Sequence, residues 1–257
     1  MGASRASPEG YETGAPGLLL DRGKPRDHLS AAPSRAAAEQ AFPAPVRESV
    51  RRLLNVGAAV VLLLVATPLM LLIAVAIKLT SAGPVLFVNE RVGFNRRNGR
   101  CPRPDCRRRS DKGGKLFGMY KFRTMRAEAG NGDQVWAQPD DPRATSLGRI
   151  LRKYRLDELP QLINVLRGDM NVVGPRPEQP GIYARLREEI DRYEDRQRVR
   201  PGITGWAQVN HHYDLSVDDV RKKVQMDLEY IERQSVGEDL RIMLRTVPVV
   251  VFKKGAW

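Results

Sequence analysis

The chain has only two cysteines, Cys101 and Cys106, in 257 residues. That excludes a secreted fold built on disulfides and favours a reducing, cytosolic setting. Aromatic side chains make up 6% of the sequence, which weighs against a surface that stacks unpaired bases. No internal repeat is visible, so the chain is not an array of one unit. The first forty-five residues hold no apolar run, which excludes a signal peptide at the start. Acidic residues are also in short supply: 30 Asp and Glu face 43 Lys and Arg, a formal net charge of +13. Such a balance implies an anionic partner, whether nucleic acid, an acidic membrane surface or a phosphorylated substrate. The length allows one sizeable domain plus extras.

Residues 1–45 are rich in Ala, Pro, Gly, Ser and Arg without apolar period and read as a disordered tail. The first long apolar stretch is "LLNVGAAVVLLLVATPLMLLIAVAI", Leu53 to Ile77, which carries no charge. It is long enough to cross a bilayer, and length alone predicts a simple transmembrane helix. Two features argue for another path. Thr67 and Pro68 stand near its middle, where a proline interrupts the hydrogen-bond ladder. Arg47, Arg51 and Arg52 precede the run and Lys78 follows it. Basic flanks belong on the cytoplasmic side, and both can lie there only if the segment enters, turns at Pro68 and leaves by the same face. The Thr67 hydroxyl can help satisfy backbone groups freed at the bend. Residues 46–80 are therefore expected to form a re-entrant membrane helix broken at Pro68, and residues 81–257 a cytosolic domain.

"GPVLFVNERVGFN" and "KLFGMYKFRTM" read as strand-like segments. Between them, residues 96–114 form an Arg-rich loop with a Cys-x4-Cys pair. Structural zinc wants four ligands, and the remaining histidines that could help, His211 and His212, are distant, so a plain basic loop is expected. In "RKYRLDELPQLINVLRGDM", the residues Leu159, Leu162, Ile163 and Leu166 recur at helical spacing. A helix over about Glu158–Arg167 follows, stopped by Gly168, with Asp157 near its N-cap. Asp157 and Glu158 are then open to two readings: acids that cap a helix, or acids that carry chemistry. Tyr183 to Val199 reads as one surface helix and "SVDDVRKKVQMDLEYIERQ" as another, with Val217, Val220, Val224, Leu228 and Ile231 on one face. The final stretch mixes apolar and basic residues and suits either the core or a membrane surface.

Three motifs, in order after the proline-split apolar segment, carry a resemblance: "KFRTM" (Lys121–Met125), "LRKYRLDELPQLINVLRGDMNVVGPRP" (Leu151–Pro177) and "RPGITGWAQVN" (Arg200–Asn210). Together they closely resemble the bacterial sugar transferases, the monotopic phosphoglycosyl transferases that begin glycoconjugate assembly. The resemblance covers about four-fifths of the chain. It implies a mostly helical α/β enzyme, embedded in the inner membrane through a re-entrant hairpin, with its catalytic face in the cytosol. It implies transfer of a sugar-1-phosphate from a nucleoside diphosphate sugar, usually a UDP-sugar, to a polyprenyl phosphate such as undecaprenyl phosphate. UMP is released, and the product opens an exopolysaccharide, O-antigen, capsule or glycoprotein glycan pathway. By the same resemblance Asp157 is the nucleophile and Glu158 helps hold Mg²⁺.

Elementary chemistry agrees with those roles. A carboxylate can attack phosphorus and split one difficult transfer into two. Its approach to a diphosphate needs neutralising cations, and Mg²⁺ is commonly held by one or two carboxylates plus phosphate oxygens. Lys121, Arg123, Arg152, Arg155, Arg176 and Arg200 are candidate phosphate ligands, the arginines because guanidinium grips phosphate at two points and Lys121 as a point charge; for each, a surface salt bridge is the alternative reading. Pro175 and Pro177 hold Arg176 on a stiff turn. Asp169 is expected to orient a neighbour or to form the turn with Gly168. The sequence departs from the family at "NHHYD", where His212 stands in place of a customary arginine. An imidazole there binds phosphate more weakly and depends on pH. Residues 96–114 look longer than the usual connection, and the chain resembles the minimal form without preceding transmembrane helices. A nucleic-acid-binding protein is the first rival, disfavoured by the lipid-length apolar segment and the lack of a familiar binding motif. A membrane-anchored basic scaffold without catalysis is the second.

Overall fold

The structure, a computed structural model, describes residues 45–95, 113–126, 141–210 and 217–251. Residues 1–44 of the expected tail, most of the cysteine-bearing loop (96–112) and His212 lie outside the described residues.

Helix α1 runs from Pro45 to Thr80 with Pro68 inside it. The break expected at Pro68 is therefore not a break: the helix continues through it. Proline removes one donor from the ladder and leaves the remaining rungs in place. One rung earlier, the Thr67 hydroxyl donates to the Leu63 carbonyl at 2.6 Å, adding a local bond at the weakened turn. Arg51, Asn55, Ala59, Ile73 and Ile77 are buried, with Leu63, Ala66 and Met70 half-buried between them. Steps of three and four make this one stripe along a single helix. Elsewhere α1 is bare: Leu64 is 71% and Val65 75% exposed, and Leu71 and Leu72 are similar.

Strands β1 (Leu86–Val92) and β2 (Leu116–Phe122) pair antiparallel, from Leu86 opposite Phe122 to Val92 opposite Leu116. Both were expected as strands. Helix α2 (Ser146–Lys153) starts at Thr145, whose hydroxyl accepts from the Gly148 N–H at 2.9 Å. The helix expected from Glu158 to Arg167 is split. Leu156–Glu158 is a turn of 3₁₀ helix, and α3 begins only at Gln161 and ends at Arg167. Arg155 adopts a left-handed φ of 55°, and the turns through Leu159 and Ile163 close by i to i+3 bonds. The residue at the N-cap of α3 is Pro160, not Asp157. Gly168 ends the helix with φ 88°, as its position predicts. Asn164, fully buried, locks α3 to β2: its amide donates to the Gly118 carbonyl at 2.8 Å and accepts from the Tyr120 N–H at 3.0 Å.

Strand β3 (Asn171–Val173) lies parallel to β4 (Gly202–Thr204). Their ends touch so closely that a methyl on Gly202 would sit 2.1 Å from the Gly174 nitrogen. The single surface helix expected over Tyr183–Val199 is two elements. Helix α4 (Pro180–Glu189) stops at Ile190, and a 3₁₀ helix spans Tyr193–Arg198 after Arg192 takes φ 60°. Ile182, Tyr183, Leu186, Ile190 and Tyr193 bury together against Val92, Val220 and Val224, and the positive φ of Arg192 turns the chain between the two elements. After the short α5 (Trp206–Asn210), helix α6 (Val217–Arg233) buries Val220, Val224 and Ile231 as its spacing predicts. Helix α7 (Val236–Val251) buries Ile242 in the core and leaves Leu240, Leu244 and Val247 exposed.

The two arms of α1 rest on the folded body. Ala58, Ala59 and Leu63 join Val165, Met170 and Val172, while Ile73 and Ile77 join Phe122 and Leu151. Arg51 is buried against the last helices, donating to Asp239 at 3.0 Å and to the Tyr230 hydroxyl at 2.9 Å. Among the described residues the fold is mostly helical, with two small two-stranded sheets.

Candidate active site

Asp157 and Glu158 sit in the 3₁₀ turn, each 7% exposed. The turn is anchored from below. Leu156 and Leu159 pack on Ile73, Ile77, Phe122 and Leu151, so the acids stand directly over the C-terminal arm of α1. Strand β2 contributes Lys121, whose ammonium lies 3.2 Å from Glu158 Oε1 and 3.7 Å from Asp157 Oδ2. The loop after β3 contributes Arg176, which grips Glu158 at two points, Nη2 to Oε1 at 2.6 Å and Nη1 to Oε2 at 3.3 Å. Arg152 donates from Nε to the Thr124 hydroxyl at 3.0 Å, and its charge reaches Asp157. The charge of Arg155 reaches Glu158.

The two carboxyls are driven apart electrostatically. Burial pushes the Asp157 carboxyl above its ordinary value; Lys121 opposes the shift and the charge of Glu158 adds to it. Burial would push Glu158 up as well, but Arg176 and then Lys121 outweigh it and hold that carboxyl well below the usual range. Arg176 is raised in return, chiefly by Glu158. One acid is thus a fixed anion in a cationic clamp, and its neighbour is a buried carboxylate with a single ammonium beside it among the described residues.

Not every predicted ligand arrives here. Arg123 is committed to the end of α1: it donates to the Ala82 carbonyl at 2.7 Å and to the Ser81 carbonyl and hydroxyl at 2.8 and 2.7 Å. Its position one residue beyond β2 turns it away from Lys121, and it secures a helix terminus instead. Arg200 donates to the Gly168 carbonyl at 3.2 Å and to Glu48, and stacks on Phe94 with 5.4 Å to the ring centre. It ties the start of α1 to the end of α3. Asp169 pairs with Lys115 at 3.4 Å and with Arg167 at 3.8 Å. Pro175 and Pro177 flank Arg176 as expected.

The structure adds residues that sequence reasoning missed. Arg91 on β1 donates to the Pro177 carbonyl at 3.2 Å and lies 3.9 Å from Glu178; burial, opposed by Glu178, lowers it to about 10. Arg196 and Asp227 form a fully buried pair at 2.8 Å. The sequence does carry one mark, since Asp227 falls on the apolar face of α6 between Val224 and Ile231, but nothing in it names Arg196 as the partner.

The donor chemistry suits Mg²⁺. Two adjacent buried carboxylates supply what that ion takes from a protein, the rest coming from phosphate oxygens and water. Each carboxylate offers about four lone-pair directions, more than Lys121 and Arg176 consume. Among the described residues no group of three or more His, Cys, Asp or Glu comes together.

Comparison with known proteins gives a consistent picture. A family model described as bacterial sugar transferase matches residues 46–253. The chain is 40% identical over 215 residues to the UDP-N-acetylgalactosamine-undecaprenyl-phosphate N-acetylgalactosaminephosphotransferase of Aeromonas hydrophila, covering 84% of this chain and 47% of that protein. It is 40% identical over 209 residues to the UDP-glucose:undecaprenyl-phosphate glucose-1-phosphate transferase of Caulobacter vibrioides, covering 80% of this chain and 72% of that one. An uncharacterised sugar transferase of Bacillus subtilis is 35% identical over 206 residues, covering 80% of this chain and 89% of its own length. The chain spans about half the length of the Aeromonas relative.

Proposed function

The chain belongs to the bacterial sugar transferase family, and from that membership and the geometry of the site we propose that it transfers a sugar-1-phosphate from a UDP-sugar to a polyprenyl phosphate. The observation that carries the reading is the pair of adjacent buried carboxylates with Lys121 and Arg176 closed over one of them. A capping role for Asp157 has no support, because Pro160 holds the N-cap position of α3. The named relatives act on UDP-sugars and undecaprenyl phosphate, which supports the same donor and acceptor classes here.

In the proposed reaction an Asp157 carboxylate oxygen attacks the β-phosphorus of the donor. A phosphorus–oxygen bond forms to Asp157, the bond to the bridging oxygen breaks, and UMP leaves with that electron pair. A prenyl phosphate oxygen then attacks the same phosphorus, breaks the acyl phosphate bond and restores the carboxylate. Glu158, kept ionised by Arg176, would hold Mg²⁺ together with Asp157. When bound, the ion neutralises phosphate charge that would otherwise repel the nucleophile. Lys121 and Arg152 add positive charge on the Asp157 side and stabilise the negative charge that builds on the phosphoryl oxygens.

A lipid acceptor requires a site at the membrane surface. Ala59 and Ile73 both pack on the folded body. The helix between them spans only about 21 Å even if straight, at 1.5 Å per residue, against roughly 30 Å for the hydrocarbon core. This argues against a spanning α1; a re-entrant path, made by a bend of the continuous helix at Pro68, would put the bare apolar residues around Leu64 and Val65 in lipid and the site on the cytosolic face of the inner membrane. The rival scaffold reading predicts no chemistry. Purified protein incubated with a UDP-sugar and Mg²⁺, without acceptor, should release UMP in an amount limited to one per active site, and undecaprenyl phosphate should then allow turnover. Absence of UMP across a panel of UDP-sugars, with or without acceptor, would contradict the reading.

A further inference from the structure

The segment that carries Arg176 makes no regular structure of its own, yet each of its carbonyls is held from outside. Gly202 N–H donates to the Pro175 carbonyl at 2.9 Å and Val92 N–H to the Glu178 carbonyl at 2.9 Å. Arg91 donates to the Pro177 carbonyl at 3.2 Å. The carbonyl of Arg176 itself accepts from Arg196 Nη2 at 3.0 Å. With prolines on both sides of Arg176, the chain there has few N–H groups to fix itself, so these four donors decide its orientation.

Arg196 is the unusual member. It is 3% exposed, and a guanidinium is buried so deeply only where its donors are met. Nε donates to Asp227 Oδ2 at 2.8 Å and Nη1 to the Tyr193 hydroxyl at 2.9 Å, leaving Nη2 for Arg176. Asp227, 2% exposed, comes from α6. A continuous chain of contacts therefore leads from α6 through Arg196 to the backbone of the residue whose guanidinium grips Glu158.

We propose that Arg196, anchored by Asp227, is a positioning residue for the transfer reaction: by fixing the Arg176 carbonyl it sets the angle at which Arg176 meets Glu158. The inference rests on the function proposed above. A two-point guanidinium–carboxylate contact tolerates only small misalignment, about 0.5 Å and 10–20° for a working site. A tilted peptide at Arg176 swings the guanidinium off one of the two oxygens. The first half-reaction then slows while UDP-sugar binding changes little, because Arg196 touches no part of the open site.

The test replaces the buried pair by apolar side chains of similar volume, Arg196→Met with Asp227→Leu, an exchange that folded proteins often accept without loss of stability. Melting temperature and the rate and KM of UMP release are measured, alone and in an Arg176→Ala background. The expected result is a melting temperature within a few degrees of the parent, a fall of roughly 100-fold in the release rate, a KM within about threefold, and almost no further loss when Arg176 is already Ala. An unchanged rate in the folded double variant, or losses that multiply in the Arg176→Ala background, would overturn the proposal. Should the double variant not fold, Arg196→Lys serves with the same two outcomes, since lysine keeps the charge beside Asp227 but its single nitrogen cannot span the acceptors that three guanidinium nitrogens reach. The underlying mechanism is judged separately by the parent protein. If the parent turns over without an acceptor-independent burst, the covalent step fails, and the coupling of Arg196 to Arg176 is still read from turnover.

Discussion

Asp157 and Glu158 are neighbours that their surroundings treat oppositely, in keeping with the separate roles proposed for them. Burial raises Asp157 with Lys121 in opposition, and Arg176 and Lys121 hold Glu158 down. The nucleophile must be ionised, so the acid limb of the pH profile for UMP release should fall above the ordinary aspartate value of about 3.9. Lys121→Met removes the charge that lowers Asp157, so the limb should move to still higher pH in the residual activity. An unmoved limb would mean that Asp157 is not the titrating nucleophile. Arg176→Ala strips a buried carboxylate of its two-point partner and should destabilise the fold by about 3 kcal/mol, the low end for breaking a buried pair because Arg176 is partly exposed; thermal unfolding measures this. At this scale two acids before a proline-led helix are by themselves as readily a cap as a dyad, and it is the resemblance carried by three separate motifs that points to chemistry at Asp157 and Glu158. The places of Arg123 and Arg200 were not legible, because an arginine's partner is chosen by tertiary structure. Arg123 meets the carbonyls of Ser81 and Ala82, and Arg200 meets Gly168 and Glu48.

At the scale of elements, the pattern of side chains predicted what local periodicity controls. Strands β1 and β2, the face of α6 and the stop at Gly168 all follow from spacing or from backbone freedom. The separate 3₁₀ turn at Leu156–Glu158 and the stop at Ile190 did not, because each depends on a positive φ at an arginine, Arg155 or Arg192, that only the packed fold imposes. The junction between β3 and β4 offers a direct test of packing. A methyl at Gly202 would meet the Gly174 nitrogen at 2.1 Å, and both are backbone that cannot swing aside. Gly202→Ala should cost on the order of 1–3 kcal/mol and also displace the Arg176 loop, lowering both melting temperature and activity. Gly57→Ala, in α1 with nothing within 4 Å of the new methyl, should leave the melting temperature unchanged or raise it. Equal effects of the two substitutions would contradict the packing described here.

For the whole molecule, the N-terminal arm of α1 packs against α3, β3 and α7 and the C-terminal arm against α2 and β2, and the proposed re-entrant path would set the Asp157–Glu158 site beside lipid. In a background with Cys101 and Cys106 changed to Ser, single cysteines placed at Ser49 and Leu79 should be labelled from the cytosolic side alone. Labelling of either from the periplasm would mean that α1 spans. The central claim is that Asp157 becomes covalently bound to the sugar phosphate. The most direct measurement is mass spectrometry of the protein quenched after incubation with a UDP-sugar and Mg²⁺ but no acceptor. The account predicts a gain of one sugar-phosphate mass, mapped to the peptide carrying Asp157, discharged by undecaprenyl phosphate and absent from Asp157→Asn. An adduct on another residue, or an Asp157→Asn protein that still forms product, would contradict it.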